Sequence, residues 1–164
     1  LGISLQLRRA SVEEFNSIGH GADDLMEFVL TEDEALFDLP SLTDVDKAWH
    51  GIHFLLTGSG SAEPWPAGFL FSGTERGADW GMGPARFLSV KEVQEVCQHL
   101  NSLPSTVVAD RLNLKAMKEQ DIYPDMWDED YDVTLDYLSH YFNELKTFVC
   151  DAARANEVIV MAFI

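Results

Sequence analysis

The sequence predicts an α+β fold: a small, mostly antiparallel sheet that includes both chain termini, packed by about five helices. Three observations carry that reading. Residues 3–8 alternate apolar Ile3, Leu5 and Leu7 with polar Ser4, Gln6 and Arg8, the period of a half-buried strand. Residues 158–164 form a short apolar run that suits a buried strand. Between them lie several helical patterns with their own start and stop signals. The strongest sets Leu135, Leu138, Phe142, Leu145, Phe148 and Val149 at three- and four-residue spacing, a long amphipathic helix from Val133 to about Ala155.

Ser11 followed by Glu14 is a capping-box pattern that starts a short helix at Val12, stopped by Gly19 or Gly21. A second, acidic helix covers residues 24–31. Pro40 and the cluster 41–44 precede a central helix with Thr43 or Asp44 as its cap and Gly58 as its stop. Residues 58–84, rich in Gly, Ser and Pro, read as the main loop region, with at most one short strand at the apolar island 68–71. Arg86, Phe87 and Leu88 read as another short strand. Ser89 and Glu92 form a second capping box for a helix to about Leu100, and Pro104 breaks the pattern. A weaker helical stretch spans residues 105–119 in two pieces around Asn113, and residues 122–132 form a loop. With no internal repeat and no linker, residues 1–164 are expected to make one domain.

The composition excludes some partners. Of 164 residues, 28 are acidic and 11 basic, a formal charge of -17 that would repel nucleic-acid phosphates and anionic membrane surfaces. No apolar run approaches the roughly 20 residues that span a bilayer. A cytoplasmic protein is expected, with no nucleic-acid or membrane partner. Cys97 and Cys150 lie in helical patterns without a CxxC or Cys/His neighbour and read as reduced core thiols.

The central helix joins an apolar stripe to ionisable groups. Asp46 and His50 are four residues apart and His50 and His53 three, so on a helix all three share one broad face. A carboxylate beside an imidazole raises its basicity and orients its tautomer, which suits a general base. HxxH lacks the HExxH spacing of zinc proteases and offers no third ligand, so no metal is expected. The bland alternative packs Trp49, Ile52, Leu55 and Leu56 in the core, with Asp46 in the first turn, His50 in solvent and His53 half-buried. Asp128, Asp130 and Asp132 have the opening of a calcium loop, but Val133 stands where the turn needs Gly, and Ser139 where a bidentate Glu should close the shell. Seven acids between Asp121 and Asp136, with no base among them, are more simply a solvated face and the negative start of the long helix. GMGPAR lacks the third Gly of a phosphate loop, and no GxSxG elbow occurs. Neither cofactor nor covalent catalysis is expected. What remains is a set of aromatic and polar residues in segments bounded by Gly and Pro, namely Trp49, His53, Trp80, Arg86, Tyr123 and Trp127, the material of an amphipathic pocket or a binding patch.

Three blocks, DVDKAWHGIHFLLTG, WGMGPARFLSVKEV and QDIYPDMWDE, in this order and at these intervals, resemble the YfbM-like family of small bacterial proteins, a family of unknown function. The opening LGISLQLRRAS is similar to that family's start, so the resemblance spans nearly the whole chain. It implies an α+β domain in a bacterial cytoplasm and no reaction.

Two functions therefore compete. The first is a non-enzymatic binding module, immunity-like in kind, that presents an acidic, aromatic-studded face around Tyr123, Trp127 and Tyr131 to a basic protein. The second is a small-molecule or enzymatic pocket with His53 as acid or base, Asp46 or His50 as its orienter and Arg86 as anion anchor. That pocket requires His53 and Arg86 on the same side of the sheet. A self-associating module with exposed aromatics at its contact ranks third.

Overall fold

In the computed structural model, which describes residues 2–30, 40–127 and 130–164, the N-terminal alternation becomes β1 (Leu5–Ser11) and the C-terminal apolar run becomes β5 (Glu157–Phe163). They pair antiparallel along their full length, from Leu5 opposite Phe163 to Ser11 opposite Glu157. The short strands β2 (Leu42–Asp44), β3 (Thr74–Glu75) and β4 (Arg86–Leu88) complete a 5-stranded sheet of order β2-β1-β5-β4-β3, antiparallel throughout. Both sheet edges are very short strands, which leaves little unpaired ladder to recruit another chain.

β5 is apolar at successive positions because both its faces are covered. Val160 and Ala162 pack with Leu25, Met26 and Val29 of α2 (Asp24–Val29), beside Phe15 of α1 (Val12–Ser17). Ile159 and Met161 point into the larger core on the other face, with Ile52 and Leu55 of α3 (Trp49–Thr57), Val93 and Val96 of α4 (Val90–Ser102), and Leu138, Leu145 and Val149 of α7 (Tyr131–Arg154). Two short helices, α5 (Val107–Arg111) and α6 (Leu114–Glu119), connect α4 to the loop before α7.

The local signals account for most boundaries. Ser11 accepts the Glu14 N–H at the start of α1, and Ser89 and Glu92 form a complete reciprocal box at α4. Asn113 divides the weak helical stretch by capping α6 through the Ala116 N–H. Gly58, in the left-handed conformation at φ 76°, terminates α3. Asp130 accepts from Asp132 and Val133 N–H and starts α7 two residues earlier than the apolar stripe indicates. Thr31, the expected end of the second helix, lies outside the described residues, as do Asp128 and Glu129 of the acidic loop.

Three expectations are corrected. Thr43 and Asp44 do not cap a continuous central helix: they pair with Leu7 and Gln6 in β2, where ladder bonds to β1 prevail over local capping. A 3-10 turn at Asp46–Ala48 follows, its first N–H held by Asp44 Oδ1 at 2.7 Å, and Asp46 adopts φ 50°. Asp46 therefore stands outside the helix that carries His50 and His53. The apolar island forms a 3-10 turn, Phe69–Phe71, and the short strand lies just beyond it at β3. Cys97 and Cys150 are not free thiols but a disulfide joining α4 to α7, with Cα atoms 5.0 Å apart. Each cysteine sits in an ordinary helical pattern, and only the packing of the two helices brings them together.

Candidate functional site

One wall of the site is the face of α3 that carries Trp49, His50 and His53. The Trp49 ring lies against His50 (5.0 Å between centroids), Tyr123 (5.5 Å) and Phe163 (4.8 Å), and its Nε1–H donates to the Ile3 carbonyl at 2.9 Å. Tyr123 returns to the same strand entry, its hydroxyl accepting the Ile3 N–H at 2.6 Å. His50 is engaged at both nitrogens rather than turned to solvent. Nδ1 accepts the Tyr123 N–H at 2.8 Å, so the ring proton resides on Nε2, which donates to the Gly60 carbonyl at 2.8 Å.

His53 is 0% exposed, more deeply placed than its sequence position indicates. Its Nε2–H donates to the Ser61 carbonyl at 2.6 Å, Phe71 meets its ring edge-on at 4.4 Å, and among the described residues the buried Nδ1 has no partner. Burial lowers its pKa below 6.5, outweighing the opposing pull of the Ser61 carbonyl, and nearby His50 adds to the lowering. The imidazole is thus held neutral. Because the unfolded chain takes up this proton near 6.5 and the folded one resists it, His53 makes stability fall as pH drops through and below 6.5. Urea unfolding between pH 7.5 and 5 will show that decline. His53→Gln, which keeps a donor for Ser61 but does not titrate, will flatten it.

Arg86 of β4 lies on the same side of the sheet, as the pocket reading requires. Its guanidinium is buried (8% exposed), donates to the Ser72 and Leu70 carbonyls at 2.7 and 2.9 Å, and stands over the Phe163 ring at 5.2 Å. Burial lowers its pKa, with Glu75 pulling the other way. Phe71 and Phe163, 6.2 Å apart, connect the histidines to this cation. Neither was a candidate from sequence, since each belongs to an apolar run that reads simply as core.

The other candidates lie elsewhere. The Asp46 carboxylate accepts the Tyr137 hydroxyl at 2.9 Å, across to α7. Trp127 is buried against the opposite side of α3, where a side chain at Gly51 would collide with it, and its Nε1–H donates to the Ile122 carbonyl at 2.6 Å. Trp80 is 50% exposed in a separate turn and donates to Asp23 at 2.7 Å. So Trp49, His53, Arg86 and Tyr123 come together, while Asp46, Trp80 and Trp127 do not join them. Among the described residues no group of three or more His, Cys, Asp or Glu side chains is placed to hold a metal ion, and no helix is long and apolar enough to cross a membrane.

A second assembly forms around Asp46. Tyr137 and Tyr141 of α7 pack edge-to-face at 5.0 Å beside Asp44 and Asp46. Both phenols have raised pKa values, first through burial, then for Tyr137 through its bond to Asp46 and for Tyr141 through the charges of Asp46 and Asp44. Along the same helix Tyr131 and Val133 are exposed (44% and 57%) among Asp130, Asp132 and Asp136. The i, i+4 spacing of the two tyrosines flanking the apolar stripe was the available sequence signal for this face.

The model of a domain of unknown function, DUF1877, matches residues 1–162. The chain belongs to the DUF1877 family. Among solved structures, this DUF1877 chain is similar to YfbM from Escherichia coli, itself described as a protein of unknown function. The TM-score is 0.68 at 18% identity, over 98% of this chain and 99% of that one. That likeness establishes a shared fold and agrees with the resemblance carried by the three sequence blocks. No curated protein matches the chain.

Proposed function

We propose that this DUF1877 chain is a non-enzymatic acidic binding module, one domain that presents the N-terminal half of α7 and the neighbouring β2 edge to a basic protein partner. The observation that carries the reading is the joining of Asp44 and Asp46 to Tyr137 and Tyr141 on the side of α7 that also bears exposed Glu144. Amphipathic rings set in a negative field supply contact area, and the field steers a cationic surface into place. A cytoplasmic, immunity-like role for such a module fits the charge of -17. In a glutathione-buffered cytoplasm the Cys97–Cys150 pair would be open to reduction.

Affinity capture of the tagged protein from its host lysate at low salt, followed by native mass spectrometry, tests this. The expected result is a stoichiometric basic protein that salt releases and that Asp44→Asn/Glu144→Gln no longer retains. Retention unchanged in that variant would remove this face from consideration.

A second reading has its own support. Among the described residues His53 Nδ1 is buried without a partner and buried Arg86 is bonded only to backbone carbonyls, so a small anionic molecule reaching the Phe71–Phe163 junction would meet a cation and a neutral base. In the same capture, excess mass of a few hundred daltons or less that is lost on Arg86→Gln would favour it.

A further inference from the structure

A different feature, away from both assemblies, carries a ligand proposal. The end of α4, the Pro104 turn and α5 form one wall of a groove whose other wall is α7, enclosing about 290 Å³. Its floor is apolar, with Leu100, Val107 and Phe142 buried there. Polar groups from α7 mark its length: Asp136 at one end, Ser139 and Asn143 between, and Lys146 at the other. Ten residues separate Asp136 from Lys146, roughly 15 Å along the helix axis. Lys91 and Lys115 pair with Glu95 and Glu119, but among the described residues Lys146 has no carboxylate within ion-pair distance. Among the residues lining the groove Lys146 is the single cation and Asp136 the single anion, at opposite ends. The Cys97–Cys150 disulfide ties the two walls one turn beyond the Lys146 end and holds them in place.

We propose that this groove is a binding site for an aliphatic monocarboxylate. The carboxylate pairs with Lys146, the chain lies over Leu100, Val107 and Phe142, and the tail points toward Asp136. Ser139 and Asn143 face the path between head and tail without supplying a second cation, so one negative charge is accepted and a second is not. Asp136 sets the orientation by repelling any anionic group at the tail end.

Decanoate is the probe, titrated into the intact oxidised protein by calorimetry and by NMR of labelled methyl groups. Saturable binding that shifts the Leu103, Val107 and Leu135 methyl signals is expected, weakened about tenfold by Lys146→Gln. Decanedioate should bind at least tenfold more weakly than decanoate, and Asp136→Asn should narrow that gap. Lys146 and Asp136 lie at the groove rim rather than in its buried floor, so both variants fold. Absence of saturable binding, equal binding by decan-1-ol, undiminished affinity in Lys146→Gln, or equal affinity for decanedioate would each overturn the proposal.

Discussion

Reduction of the Cys97–Cys150 disulfide will lower the unfolding free energy by roughly 4 kcal/mol. The bond closes a loop with a sequence separation of 53, and the chain entropy that a cross-link of this length removes from the unfolded state corresponds to about that figure. For a chain of this size, a loss of that magnitude displaces the melting temperature by roughly 8–16 °C. The comparison is between oxidised protein and Cys97→Ser/Cys150→Ser, by thermal and urea unfolding. Equal stability of the two would show that the α4–α7 packing needs no covalent staple. Because the link closes the larger core rather than the sheet, the double variant should keep its strand content while α4 and α7 lose protection first in hydrogen exchange.

Trp127→Ala will destabilise the fold by about 3–5 kcal/mol, the range for emptying a buried aromatic site. The indole fills the space beside Gly51 and Leu138, where α3 meets α7, and its Nε1–H satisfies the Ile122 carbonyl. Trp127→Phe separates these contributions. It retains most of the apolar volume and loses the hydrogen bond, so it should cost less than half as much as the alanine variant. If Trp127→Ala proves as stable as the parent, Trp127 is not the keystone of that helix pair. A large loss of binding at unchanged stability would instead return it to the candidate site.

Both predictions concern residues for which the sequence suggested another role, and the reasons differ. Trp127 stands in an Asp-rich segment just after Pro124, a setting in which an aromatic reads as exposed. Its burial follows from Gly51 on the facing helix, where the missing Cβ leaves room for the indole. That complementarity involves two positions distant in sequence, and neither announces the other. The cysteines illustrate the same limit, because helical periodicity places each on a packed face without naming its partner.

His53 and Arg86 show how much of a site was legible. Their residue types, and the Gly and Pro that bound their segments, identified them as candidates, and the two do lie on the same side of the sheet. The company they keep was not legible. Phe71 and Phe163, which connect them, come from a 3-10 turn and the C-terminal strand. Asp46 looked like the natural partner of His50 through helical spacing. A strand at Leu42–Asp44 and a residue at φ 50° break that spacing and turn the carboxylate to Tyr137.

The sequence by itself determined the α+β class, the terminal strands, both capped helix starts at Ser11 and Ser89, the division at Asn113 and the family. These depend on period and on contacts within a few residues, which the order of side chains encodes directly. Only the tertiary structure decided the sheet order, the Cys97–Cys150 link, the burial of His53 and Trp127, and the meeting of Asp46 with Tyr137. Each of these depends on which distant surfaces come together, a choice made by the packing of the whole core rather than by any local pattern.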